Sequence, residues 1–569
     1  MDKNLITIKP LGGIGEIGAN MFLLTTCETV VLIDAGMLFP REDVFGVDFL
    51  LPDLSSIERI DALIVTHAHE DHIGAIHMVI KKFPQLLVYA PPFAQSLIQR
   101  KLHEKKLKGT ISSYSEMVDI NIGKLAIRPI RVNHSIPDSF GLFVFDQKNS
   151  YCLLYVSDFK TDPANYFGQK FNLDNISSLV AKFKVRLLFA DSTNILMDKR
   201  GPTEAEIVPN LEKIFAQAPG RIFITAFPSN IARIKTILSI AKAQKKRVVP
   251  HGRSVISYIE AAQELKLLDT SYHLTKIDEL KDPTAKNLVI FASGCQGDFK
   301  GALKRVTSGN DSTFTMCPSD TFIFSSRAIP GNESKVNAIV DEICQAGCFI
   351  YTANEYEIHS TGHPSKEELR QLYGAFQPTH AIPVHGTHYF IKRHLEFIDS
   401  LQMNISAIGL RAFDELSLTE KLEVNIERNV GPKLTIIHGN DLEIESSAIS
   451  QKRKIAESGL IVLAISVAKL SNSNRNSNSK NKNNNGKGRE NLNNASFAKI
   501  KFLGLPEMFN TYQENIREMA YKIKDDLISA SIAGSEEEIA ALEETLRIAI
   551  RKFANNILGY KPITVVQIA

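Results

Sequence analysis

Short apolar runs that stop at a polar residue recur through the first two hundred positions. Leu5 to Ile8 alternates as a strand, Asn20-Met21-Phe22-Leu23-Leu24 reads as another, and Val30 to Gly36 and Ala62-Leu63-Ile64-Val65 read as buried strands. Leu125 to Val132, Leu153 to Val156 and the run through Phe189-Ala190 follow the same pattern, while Ile73 to Ile80 reads as the start of a helix. From Ile80 to Asp158 strands and helices alternate, which predicts helices packed on sheets. From about Pro202 to Tyr351 the chain has an alternation of its own: Arg221 to Thr225 then Ile231 to Lys245, and Thr321 to Ser325 then Lys335 to Ala346. That texture predicts a doubly wound domain inserted into the first. Near the end, Tyr512 to Ser529 and Glu536 to Leu558 read as amphipathic helices and Lys561 to Ile568 as a closing strand, a small α/β unit suited to oligomerisation.

Composition narrows the class. A chain of 569 residues is too long for one core, so two to four domains are expected. Its 44% hydrophobic and 23% charged content is that of a globular protein, and a net charge of +3 neither requires nor excludes a nucleic-acid partner. Ser471 to Asn494 is Asn, Ser, Lys and Arg with hardly an apolar residue, a basic, solvated insertion expected to be disordered. The six cysteines form no CxxC pair and read as reduced core thiols. The start, Met1-Asp2-Lys3-Asn4, does not read as a signal peptide, and no apolar run is long enough for a membrane span, so a cytoplasmic, soluble protein is expected.

The chemistry gathers at Thr66-His67-Ala68-His69-Glu70-Asp71-His72, between a strand and a helix. A turn can point several side chains at one place, and imidazoles with a carboxylate are ligands that zinc favours besides thiolates. Gly13 to Gly18 also matches GxGxxG with Asp34 following, yet only Ala19 to Thr29 separates the glycines from the next strand. That is too short for the crossover helix of a dinucleotide site, so a glycine turn between strands is the expectation.

The pattern His67-x-His69-x-Asp71-His72 is the signature of the metallo-β-lactamase superfamily, and the resemblance implies further ligands at strand ends. His134, Asp158 and His385 stand in the required order, with Asp34 in the supporting place. An inserted domain, an acid closing a strand at Asp191, and the pair His363 and His385 resemble the β-CASP group, whose members act on nucleic acids. Gly12-Gly13-Ile14-Gly15-Glu16-Ile17-Gly18, His134-Ser135-Ile136-Pro137-Asp138-Ser139, Ser157-Asp158-Phe159-Lys160, Asp191-Ser192-Thr193-Asn194, Ser229-Asn230-Ile231, Gly294-Cys295-Gln296-Gly297 and Ile329-Pro330-Gly331-Asn332-Glu333 look like the bacterial ribonuclease J family. Three positions depart from its pattern: Thr387 stands in place of Glu, Thr361 in place of Ser and Ala232 in place of His.

The resemblance implies an α/β fold: a metallo-β-lactamase αββα sandwich in residues 1–200 and 356–470, a doubly wound β-CASP domain in 201–355, the Asn-rich insertion in 471–494 and a C-terminal α/β domain in 495–569. It implies two zinc ions, with manganese as an alternative: His67, His69 and His134 on one, Asp71, His72 and His385 on the other, Asp158 bridging. Two metals about 3.5–4 Å apart acidify a bridging water and offset phosphoryl charge. His363 is the expected general acid, with Asp191 orienting it or sharing the proton. His359, Ser360, Thr361, Gly362 and His363, with Ser229 and Asn230, would hold a terminal phosphate.

The implied activity combines 5′-to-3′ exonuclease and endonuclease cleavage of RNA, preferring a 5′-monophosphate, in mRNA decay and RNA maturation, including that of rRNA. The implied partners are RNA, a homodimer or homotetramer, and other RNA-decay proteins, with no membrane. Two rival readings are a small-molecule hydrolase of the superfamily, disfavoured by the inserted domain, and a non-catalytic RNA-binding subunit, disfavoured by seven intact ligand positions. DNA as substrate is a third.

Overall fold

The computed structural model describes residues 3–40, 47–146, 148, 150–162, 170–269, 274–429, 434–465, 498–530 and 536–568. Two compact units account for them: Met1–Asp43 with Val47–Glu443, and Val44–Gly46 with Ile444–Ala569.

The first unit is built on two stacked sheets. One runs in the order Val424–Glu427, Glu415–Thr419, Asn4–Pro10, Phe22–Thr25, Val30–Ile33, Ala62–Ile64, Leu87–Ala90, Thr110–Ser113. The other runs Ser406–Ala407, His380–Val384, Val185–Asp191, Tyr151–Tyr155, Phe140–Asp146, Leu125–Arg131, Ile120–Ile122. Strand alternation sends Ile6, Ile8, Phe22 and Val31 inward from the first sheet against Phe140, Leu142, Tyr155 and Phe189 of the second. Helices Ile76–Lys82 and Pro92–Glu104 cover the outer face of the first sheet, and Leu173–Val180, Lys366–Phe376 and His388–Ser400 that of the second. This is the expected αββα sandwich.

The inserted domain carries a five-stranded, wholly parallel sheet in the order Arg247–His251, Leu288–Ala292, Ile222–Thr225, Thr321–Phe324, Phe349–Thr352. Its helices are Val208–Gln217, Ile231–Ala243, Arg253–Glu264, Ala302–Thr307 and Glu333–Gln345. Leu288 to Ala292 is buried at every position, as a parallel strand covered on both faces must be. Arg233 joins the chain entering this domain to the chain leaving it. Fully buried, it donates to both oxygens of Glu204 at 3.0 Å, to Ser325 O and Oγ at 2.6 Å and to Ile358 O at 3.1 Å.

The second unit pairs Leu460–Ile465 antiparallel with Ala498–Leu503 and parallel with Ile563–Ile568, under helices Gln513–Ala530 and Glu536–Leu558. The sequence boundary at 470/495 is therefore displaced: Ser446–Ser458 and Leu460–Ile465 belong to this unit, because the central strand finds both partners there. The expectation for Ser471 to Asn494 lies outside the described residues. The cysteines also depart from expectation. Cys152 and Cys295 are buried, but Cys27, Cys317 and Cys344 are exposed and Cys348 is half-buried, because turns and an outward helix face carry them; all six are free. Among the described residues no helix is long and apolar enough to cross a membrane.

Candidate metal centre

The chemistry sits where strands end. Asp34, Ser157 and His385 each follow an apolar strand and adopt positive φ, 58°, 60° and 51°. A left-handed residue stops a strand and turns the side chain off the sheet, at a cost of about 1–3 kcal/mol that the surroundings must offset. The surroundings here are hydrogen bonds between loops. Phe140 N donates to Thr66 O at 3.1 Å, Ser157 Oγ donates to Thr66 Oγ1 at 3.0 Å, and His385 N donates to Gly13 O at 2.6 Å. The glycine turn at 13–18 is thus a cradle for the last histidine. Gly15 must lack a side chain there, since its φ is 87° and a Cβ would stand 2.6 Å from the His388 ring.

Three overlapping donor groups converge, each with its ligand atoms within 4.8 Å of one another: His67, His69, His134 and Asp158; Asp71, His72, Asp158 and His385; and Asp158, Asp191, His363 and His385. Asp158 belongs to all three. Each imidazole has its outer nitrogen held by an oxygen: His67 Nδ1 by Thr66 Oγ1 at 3.1 Å, His69 Nε2 by Ser229 Oγ at 3.0 Å, and His72 Nδ1 by Asp34 Oδ2 at 2.7 Å. Gly362 O holds His134 Nδ1 at 2.6 Å, and Thr193 Oγ1 holds His385 Nδ1 at 2.7 Å. An N–H committed outward leaves the other nitrogen's lone pair facing the centre. His69 Nδ1 accordingly meets His67 Nε2 at 3.2 Å and His134 Nε2 at 3.0 Å. Acceptors aimed at one another in a dry site need a cation between them.

The electrostatics agree. Burial holds His67 and His134 well below the ordinary imidazole range and lowers His69 to about 4, so three neutral rings face one side. Burial opposes protonation of His72 too, but Asp158, Asp34 and Asp71 outweigh it and push it up to about 10. His385 is raised for the same reason, against burial, by Asp158, Asp191 and Asp71. Without metal, protons on His72 and His385 balance the carboxylates; a divalent cation would displace them. The donor set therefore fits divalent metal, with nitrogen and carboxylate ligands of the kind zinc and manganese take.

Residues 219–343 match the β-CASP domain of ribonuclease J, and residues 14–131 match the metallo-β-lactamase superfamily. Ribonuclease J of Synechocystis is 30% identical over 82% of this chain and 74% of its own, and that of Helicobacter pylori 31% identical over 82% and 68%. Ribonuclease J of Sinorhizobium meliloti is 29% identical over 100% of this chain and 97% of its own. The chain belongs to the ribonuclease J family. In fold alone it is also similar to a protein of unknown function from Enterococcus faecalis, with a TM-score of 0.51 at 13% identity over 73% of this chain and all of the other.

Around this donor cluster lie the other residues expected from sequence. His363 Nδ1 is 2.6 Å from Asp191 Oδ2 and 4.0 Å from Asp158 Oδ2. Against burial, Asp191 and Asp158 raise its pKa, favouring the imidazolium. Asn194 Nδ2 holds its segment by donating to Thr361 Oγ1 at 2.8 Å and His363 O at 3.0 Å. Ser360 Oγ accepts from Lys160 Nζ at 3.0 Å, and both are buried. His359 is lowered to about 3 by burial and by Arg233, and its Nδ1 has no hydrogen-bond partner among the described residues. Gly362 packs directly on the His134 ring. Ser229 is engaged with His69, and Asn230 caps helix Ile231–Ala243 and donates to Glu204 Oε1 at 3.1 Å.

The departures from the ribonuclease J pattern have local explanations. Thr387 is the N-cap of helix His388–Ser400, Thr361 keeps a hydroxyl, and Ala232 lines a cleft that also touches His134, Ser135 and Lys160. Sequence reasoning missed Thr66, Thr193, Lys160 and Arg233. The two threonines each stand two residues after a strand end, a position too common to single them out.

Proposed function

We propose that the protein is a metal-dependent ribonuclease that degrades RNA 5′ to 3′ with a preference for a 5′-monophosphate and also cleaves internally, acting in mRNA decay and RNA maturation, including that of rRNA. The observation that carries this reading is the convergence of six donors on Asp158, with the hydrogen-bonded His363–Asp191 pair adjoining them. His67, His69 and His134 would hold one zinc and Asp71, His72 and His385 a second, with Asp158 between them and manganese as the alternative occupant. When bound, the metals supply an acidified water near neutral pH and offset charge on the phosphoryl oxygens.

The chain's own residues do the rest. Asp34, Thr66, Ser229, Gly362 and Thr193 fix the five rings, so the donors need not reorganise during reaction. His363 keeps its Nδ1 proton on Asp191, which leaves the Nε2 proton for the departing 3′-oxygen, a contribution of about 10²–10⁴ in rate. His359 to Gly362 would receive the terminal phosphate, with Ser229 and Asn230 bordering it from the inserted domain and RNA passing between that domain and the sandwich. Six free cysteines suit the cytoplasm, and a homodimer or homotetramer is part of the proposal.

The test compares one RNA carrying either a 5′-monophosphate or a 5′-triphosphate. Rapid release of mononucleotides from the first, with only internal fragments from the second, is expected. Equal mononucleotide release from both, or cleavage of neither, would refute it.

A further inference from the structure

Ser229 follows strand Ile222–Thr225 and reaches His69. That strand lies between Leu288–Ala292 and Thr321–Phe324, parallel to both. Neighbouring strands are about 4.8 Å apart, so the loops that follow them, 293–301 and 325–332, stand at the same edge as Ser229. The first of these loops presents Phe299, which at 84% has the highest exposure among the exposed large apolar side chains of the described residues.

The loop is tied down behind Phe299. Gln296 Nε2 donates to Arg327 O at 3.0 Å, and its Oε1 accepts from Ile329 N at 2.7 Å. Gly294 and Gly301 approach so closely that a Cβ on Gly301 would lie 2.8 Å from Gly294 Cα. A rigid loop holding an aromatic ring in water gives up apolar burial, which a partner with a flat face would recover. Exposed cations stand on both loops: Lys300 follows Phe299 in sequence, and Arg327 lies on the second loop, where its carbonyl accepts from Gln296. Arg327 is near enough to the site for its charge to help suppress protonation of His359. Asp298, the acid next to Phe299, has Lys335 in its field.

We propose that Phe299 is a stacking platform for a base of single-stranded RNA a few nucleotides from the scissile bond, with Lys300 and Arg327 contacting the phosphates on either side. An aromatic face between cations is the arrangement that binds single strands without regard to sequence. A second copy of the chain, docked symmetrically, would instead set Lys300 and Arg327 against like charges. The inference rests on the reading of the site as one that cleaves RNA.

The chain contains no tryptophan, so Phe299→Trp places its single indole on the platform. The probe is a phosphorothioate oligoribonucleotide of about 12 nucleotides, within the site sizes typical of single-strand grooves. Its addition should quench the indole emission, whereas a dinucleotide should not. Phe349→Trp is the control: Phe349 is 49% exposed and begins strand Phe349–Thr352, at the opposite end of the sheet. That indole should stay unquenched. Phe299→Ala should bind the long probe about 5- to 30-fold more weakly, with Phe299→Tyr close to the parent. No quench at Phe299→Trp, equal quench at Phe349→Trp, or unchanged affinity in Phe299→Ala would overturn the platform. So would an emission change that tracks protein concentration without RNA, which would mark a self-association face. Cleavage of RNA with no quench sinks the platform and leaves the ribonuclease reading standing; quench without cleavage does the reverse.

Discussion

Replacing Gly362 by alanine should disable the enzyme through His134. A Cβ at this position would lie 2.6 Å from His134 Cε1, 2.8 Å from Nδ1 and 3.0 Å from Ser135 Oγ. Carbon atoms in comfortable contact stand about 3.5–4.0 Å apart, so the ring must withdraw by roughly 1 Å. It cannot do so freely. Its side chain is fully buried, and its Nδ1 is anchored at 2.6 Å to the carbonyl of Gly362 itself. Displacing a ligand by about 1 Å can cost on the order of 10²-fold in rate. The assay is turnover on one RNA that reports both end-dependent and internal cleavage, with metal content measured on the same sample. Both activities should fall together, because His134 serves both, and metal should be bound more weakly. A role for Gly362 in holding the terminal phosphate alone, as the sequence resemblance implies, would instead lower end-dependent cleavage far more than internal cleavage. Wild-type turnover, or a loss confined to end-dependent cleavage with metal intact, would refute the steric argument.

His363→Ala should retain metal yet lose about 10²–10⁴ in rate, and should recover much of it on RNA with sulfur at the leaving 3′ position, which departs without a proton; equal impairment on both substrates would contradict the general-acid role. Because His72 is held up to about 10 and His385 well above its ordinary value, adding zinc to metal-free protein near neutral pH should release protons, and affinity should fall as pH falls. A pH indicator in weak buffer checks this, and absence of release counts against these rings as ligands. Arg233→Met should lower stability by about 3–5 kcal/mol by leaving Glu204 buried without its partner. Burial alone would raise the Glu204 pKa, but Arg233 and Lys160 bring it below its ordinary value. Its stabilisation is thus present above the ordinary value and lost as pH falls through the depressed one. Thermal melts across that acid range should show a shallower pH dependence in the variant.

What the sequence revealed and what it hid follow one physical division. Ligands such as His134, Asp158 and His385 close apolar strands, so the run that makes the strand also marks its end. Partners that act across the fold leave no such mark. Thr66 reaches Asp34 and Ser157, which follow other strands, and Arg233 reaches Glu204, Ser325 and Ile358 from the first turn of a helix. Leu460–Ile465 was readable as apolar, but its sheet was not, because its partners begin at Ala498 and Ile563. The cysteines misled because neighbouring apolar residues say nothing about which way a turn or helix face points. Cys344 lies on the exposed side of a helix whose buried positions are Ile339 and Ile343.

The most direct test of phosphodiester hydrolysis at this cluster is digestion of 5′-monophosphorylated RNA in ¹⁸O-enriched water, followed by mass spectrometry of the products. The account predicts nucleoside 5′-monophosphates with ¹⁸O in the phosphate and free 3′-hydroxyls, formed by the parent protein and not by Asp158→Asn. Cyclic or 3′-phosphate ends, or full activity in Asp158→Asn, would contradict it.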